Sequence, residues 1–192
     1  HNQRNYHPDF YGGYQEDNIF QGLVDAYPMT DGLSISQSPL YDPKNPFKNR
    51  DPRLYATVFL PGYTVFRGQL FPTDPVPLKI STLKGATGYG WKKYVTENYT
   101  GDNGSSGDDI ILMRYAEVLL SYLESKLESG EAITQELLDQ TINKVRGRAA
   151  VSMPPVTETN PAKLREIIRN EFRIEFATER LIRYMTIRRW GI

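Results

Sequence analysis

Cysteine is absent, and histidine nearly so: the only two, His1 and His7, stand at one end of the chain. The first absence excludes a disulfide scaffold and thiolate chemistry. The second leaves neither a histidine-based triad nor a multi-histidine metal site. No apolar run reaches the length needed to span a membrane as a helix. A surplus of one charge is missing too, since 23 basic and 23 acidic residues cancel. Nothing therefore points to nucleic acid or to a charged membrane surface. At 192 residues and 22.0 kDa the chain suffices for one ordinary domain or two small ones. Opening at His1 and stopping at Ile192, it reads as a piece of something longer, truncated at both ends.

What is present changes character near residue 108. Residues 1–107 hold most of the Gly, Pro, Asn and Tyr and read as a loop-rich region; residues 108–192 read as helical. In the first part, Tyr55–Leu60 and Tyr63–Phe66 predict a short β-hairpin, or two extended pieces, around Pro61-Gly62. Trp91–Val95 predicts another short strand. In the second part a helix is predicted from near Asp108, capped by Asp108 or Ser106, with an apolar arc broad enough to pack on two sides. Thr134 caps a second helix that ends near Gly147, making a helical hairpin with the first. Asn160-Pro161 starts a third, with a cap and an N1 proline.

The charges of that third helix are placed unusually. Leu164, Ile168, Phe172 and Phe176 form one apolar stripe at helical spacing, and Glu171, Glu175 and Glu179 fall inside it. A carboxylate on a packing face must be paired, because burying it alone costs several kcal/mol. The spacing predicts an ionic network, with Arg146 and Arg148 as the nearest partners in sequence and Arg173 among its members. Arg114 and Glu117 are spaced for an i,i+3 pair, and Asp51 and Arg53 flank a proline that holds an extended turn. The alternative is a shallow face on which the glutamates reach water.

Several of these segments resemble one family. RDPRL at Arg50–Leu54, preceded by YPMTDG at Tyr27–Gly32, resembles the SusD/RagB signature for the start of the C-terminal half. MRYAEVLLSYLES at Met113–Ser125, NKVRGR at Asn143–Arg148, LREIIRNEFRIEF at Leu164–Phe176 and RRW at Arg188–Trp190 are similar to its later motifs, in the family's order. Departures are Phe172 in place of an arginine, ATER at Ala177–Arg180 in place of AFEG, and Thr186 in place of an aspartate. They touch the details of the ionic network. The resemblance implies a mainly α fold: a helical hairpin plus a C-terminal helix, packed with long ordered loops and a few short β-strands. It would form part of a SusD-like, tetratricopeptide-containing α/α superhelix.

The same resemblance implies a function: oligosaccharide binding at the outer face of the cell outer membrane, without catalysis. It also implies a SusC-type TonB-dependent transporter as partner and a lipid anchor outside this chain. The residues offer a chemistry to match. Pyranose rings present flat C–H faces that stack on aromatics, with polar groups beside them. Tyr6, Tyr11 and Tyr14, interleaved with Asn5, Asp9 and Gln15, supply such a mixture, and Trp91 with Tyr89 and Lys92 or Lys93 is a second candidate platform. Each of these aromatics could equally anchor a loop on the core. No cofactor is expected, and no metal: GDNGSSGDD at Gly101–Asp109 lacks the register of a calcium loop. A glycosidase would need two carboxylates at fixed separation, and nothing positions Asp9, Glu16 or Asp17 for that. The second functional expectation is a helical scaffold that binds the transporter or another surface protein, with tyrosines as interface anchors.

Overall fold

A computed structural model describes residues 18–71, 87–98, 101, 111–179 and 182–192. Among them helices dominate and every strand is two residues long. The order is α1 (Gln21–Ala26), α2 (Pro52–Thr57), β1 (Val58–Phe59), β2 (Val65–Phe66), β3 (Gln69–Leu70), β4 (Gly90–Trp91), α3 (Tyr115–Glu128), α4 (Gln135–Gln140), α5 (Ile142–Arg146), α6 (Pro161–Glu175) and α7 (Ile182–Trp190). This is the mainly α architecture expected, with long loops and little sheet.

In the first part the two segments do not pair as a hairpin; each keeps only a short extended piece, β1 and β2. Tyr55–Thr57 lie in α2, because Pro52 occupies its first turn and the Asp51 carboxylate accepts the Arg53 N–H at 2.9 Å. That local cap outweighs the strand-like composition of the segment. Pro61-Gly62 forms a tight turn closed on the Leu60 carbonyl, which accepts the N–H groups of Tyr63 and Thr64 at 3.1 and 3.0 Å. The real hairpin is β2–β3, with Val65 opposite Leu70 and Phe66 opposite Gln69. Its tip is Arg67-Gly68, both at positive φ as such a two-residue turn requires. β1 instead pairs antiparallel with β4, setting Val58 opposite Trp91.

In the second part α3 starts at Tyr115, with Arg114 as its extended N-cap; Asp108 and Ser106 lie outside the described residues. Its buried stripe is Ala116, Leu120, Leu123 and Leu127, while Tyr115, Val118 and Tyr122 are exposed. Two-sided packing is therefore not seen among the described residues; one side of the arc packs on α4, α5 and α6. The second predicted helix is broken at Thr141, whose hydroxyl donates back to the Leu137 carbonyl at 2.6 Å and separates α4 from α5. Thr134 caps α4 through the Leu137 N–H. The Asn160 carboxamide caps α6, accepting from Ala162 and Lys163 at 3.1 and 3.2 Å.

Helix α6 lies between two cores. Leu164, Ile168 and Phe172, with Phe176 just beyond, pack with Leu120, Leu123, Leu138 and Ile142. Ile174 and Ala177 join Val24, Tyr27, Leu54 and Val58 on the other side. The helix ends at Glu175, so Glu179 sits in the following turn rather than on the stripe. Chain reversal through that turn brings Trp190 of α7 back onto the edge of Phe172, ring centres 5.9 Å apart.

Candidate functional site

Between these two cores the carboxylates of α6 and of the turn after it meet cations from four other segments. Glu171 and Glu175 are only 1% and 3% exposed. Arg53, from α2, spreads its fork over three acids. Its Nη2 donates to Asp51 at 2.7 Å, and its Nη1 donates to Glu171 and, at 2.9 Å, to Glu175. Arg146, at the end of α5, reaches the second Glu171 oxygen at 2.9 Å. Arg148 grips Glu175 with both terminal nitrogens at 2.8 Å. Arg114 reaches Glu175 at 2.9 Å and Glu179 at 2.6 Å, and Lys93 also donates to Glu179 at 2.6 Å.

Nine charges thus converge: Asp51, Glu171, Glu175 and Glu179 against Arg53, Lys93, Arg114, Arg146 and Arg148, a sum of +1. Two expected members, Glu117 and Arg173, stand apart. Arg114 does not pair with Glu117, because as an extended N-cap its side chain leaves the helical wheel and turns to α6. Arg173 points to the opposite flank of α6, donating to the Gly22 carbonyl at 2.7 Å. Lys93 carries no such role in the sequence reading, and neither does Arg50. The latter is buried and donates to the carbonyls of Val24, Tyr27 and Pro46 at 2.5, 2.8 and 3.0 Å. Carbonyl partners leave no mark in a charge pattern, so only its place at the head of the RDPRL motif signals it.

The electrostatics are those of a clamp. Burial alone would raise the Glu175 carboxyl, but hydrogen bonds from Arg148 and Arg114 and the charges of Arg148 and Arg53 hold it at about 2. Burial lowers the Lys93 ammonium despite the opposing pull of Glu179. Each Glu175 oxygen accepts from two guanidinium groups, so at neutral pH this acid is ionised and its hydrogen-bonding capacity is engaged. Such a group is poorly suited to moving protons. A cavity of about 280 Å³ adjoins the network, walled by Pro52, Ala56 and Val151 beside Lys93, Arg114 and Arg148.

A second concavity, of about 310 Å³, opens on the far flank of α6. Asn18, Phe20, Trp91, Arg173, Thr178 and Arg183 line it. Trp91 is half-buried on the α1–α2 core and forms one wall. The companions expected beside it are engaged elsewhere: Lys92 donates to the Tyr55 carbonyl at 3.0 Å, Lys93 joins the clamp, and the Tyr89 hydroxyl donates to Gln21 at 2.7 Å. Asn5, Tyr6, Asp9, Tyr11, Tyr14 and Gln15 lie outside the described residues. Among the described residues no cluster of His, Asp or Glu could hold a metal ion. Nor is any described helix long and apolar enough to cross a membrane.

The profile of the SusD family matches residues 1–192. The chain belongs to the SusD family. It is similar to the crystal structure of a SusD-like carbohydrate-binding protein from Bacteroides fragilis NCTC 9343, with 41% identity and a TM-score of 0.89, covering 99% of this chain and 38% of that one. A second SusD-like protein from the same organism matches at 30% identity and a TM-score of 0.72, over 94% of this chain and 37% of the other. A SusD superfamily protein from Bacteroides vulgatus ATCC 8482 shares 21% identity at a TM-score of 0.67, over 98% of this chain and 36% of that one, a likeness of fold alone. The chain therefore spans well under half the length of these SusD-like structures. Comparison with curated proteins finds no match.

Proposed function

We propose that the chain forms part of a non-catalytic, cell-surface glycan-binding protein that holds oligosaccharides and delivers them to a SusC-type TonB-dependent transporter in the outer membrane, to which a lipid anchor outside this chain tethers it. The observation that carries this reading is the 41% identity, over almost the whole chain, to a SusD-like carbohydrate-binding protein. The groove of Phe20 and Trp91 supports it, since aromatic faces beside guanidinium and amide groups are the chemistry a sugar needs. The tyrosines at Tyr6, Tyr11 and Tyr14, with Asn5, Asp9 and Gln15, are proposed as further contacts. In this reading the loop-rich residues 1–107 carry the aromatics, and the helical residues 108–192, as part of a tetratricopeptide-containing superhelix, supply the frame.

Isothermal titration of the full-length protein against starch-, mannan-, fructan- and host-glycan oligosaccharides tests the proposal. Binding of at least one is expected. At least one of Tyr11→Ala, Tyr14→Ala and Trp91→Ala is expected to weaken it about tenfold or more. If no oligosaccharide binds, the glycan reading is lost. A second reading, a scaffold whose main partner is the transporter or another surface protein, is then favoured by one observation. The outer face of α3 and its approach expose Leu112 at 88%, Met113 at 67% and Tyr115 at 68%.

A further inference from the structure

We propose that the groove framed by Phe20, Trp91, Arg173 and Arg183 binds an anionic sugar, a pyranose carrying a carboxylate or a sulfate group. The inference rests on the glycan-binding reading and deepens it.

Most arginines of the helical part find a counter-charge. Arg53, Arg114, Arg146 and Arg148 meet buried carboxylates, and Arg165, Arg169 and Arg189 pair with Glu128, Glu166 and Glu124. Arg173 and Arg183, like the carbonyl-bound Arg50 and the Tyr184-bound Arg188, make no ion pair among the described residues, but these two line one groove together. Arg173 gives one N–H to the Gly22 carbonyl, which fixes its position without neutralising it. Arg183 lies over the Trp190 ring, its guanidinium carbon 5.9 Å from the ring centre. Partial burial, and then the like charge of Arg173, push the Arg183 guanidinium below its ordinary range. Two like charges facing one concavity create a positive potential that a bound anion relieves.

The groove's other features suit a sugar rather than a bare ion. Phe20 is 74% exposed on its rim, an apolar face open to the C–H side of a pyranose. Thr178 in its wall is β-branched yet has φ 64°, a strained left-handed conformation of the kind that clusters at ligand sites. A guanidinium fork matches planar carboxylate and sulfate oxygens alike, so uronic-acid and sulfated glycans share the required chemistry.

The experiment titrates the full-length protein with an oligogalacturonate, a sulfated galactan oligosaccharide and a neutral malto-oligosaccharide of matched length, at low and raised salt. An acidic oligosaccharide is expected to bind more tightly than the neutral one and to weaken with salt; which acidic arm binds distinguishes carboxylate from sulfate. Arg183→Gln and, independently, Arg173→Gln are expected to lower that affinity about tenfold, with partial recovery in Arg183→Lys. Acidic oligosaccharides that bind no better than the neutral one, or that bind both glutamine variants as they bind the wild type, overturn the inference and leave glycan binding intact. Failure of the wild type to bind any oligosaccharide overturns both.

Discussion

Arg53→Ala is expected to destabilise the fold by about 3–5 kcal/mol, the largest loss of any single truncation in the charge cluster. Arg53 touches Asp51, Glu171 and Glu175 at once, and all three carboxylates are almost inaccessible to water. Removing it leaves Asp51 without its cation and strips one donor from each glutamate. Neither glutamate can swing into solvent, because α6 is held by apolar packing on both sides, and Asp51 is fixed as the cap of α2. The cost is thus the exposure of uncompensated buried charge, not the modest net worth of the pairs themselves. Arg53→Lys is expected to recover little, since Nε, Nη1 and Nη2 are all engaged and a lysine offers one point charge. Urea unfolding at neutral pH measures the effect. A loss below about 1 kcal/mol is what a solvated surface pair gives, and it would contradict the buried clamp.

Glu175→Gln is expected to cost a similar amount and, in addition, to remove part of the acid sensitivity of the fold. The Glu175 carboxyl is held at about 2, against an ordinary value of 4.5. A group whose folded-state value is depressed contributes stability that is present above its unfolded value. That contribution is lost as pH falls through the folded one. Here it amounts to on the order of 3 kcal/mol, complete above pH 4.5 and lost progressively toward pH 2. Glutamine keeps the volume but cannot titrate, and its amide N–H atoms face guanidinium donors from Arg53, Arg114 or Arg148. Denaturant unfolding across that pH window is expected to fall more steeply for the wild type than for the variant. Parallel curves would refute the assignment.

How much of this was legible depends on what kind of contact each residue makes. The placement of Glu171 and Glu175 among buried apolar residues follows from the helical period alone, and Asn160, Pro161 and Thr134 mark helix starts through local capping. Glu179 joins the network as expected, but from the turn after α6 and not from the stripe, because the helix stops at Glu175 and nothing in the local spacing announces that turn. The helix at Pro52–Thr57 was hidden by strand-like side chains around a proline cap. Lys93 reaches the clamp across the β1–β4 pairing, a contact between distant segments that periodicity cannot report. Arg173 went the other way: it shares a helix with the glutamates, but its angular position sets it on the groove side.

If the charge cluster is a clamp and the ligand is bound elsewhere, Arg148 separates the two roles best. Its side chain is 40% exposed at the mouth of the cavity beside the network, where a ligand could reach it, and it holds Glu175 with two hydrogen bonds. The deciding measurement is an oligosaccharide titration of full-length Arg148→Ala, using the sugar that the wild type binds best, with a thermal melt of the same sample. A melting temperature lowered by a few degrees, as about 1–2 kcal/mol implies, with affinity unchanged within about twofold is the expected result. Affinity reduced about tenfold with the melting temperature unchanged would place the binding site in the charge cluster and contradict the clamp.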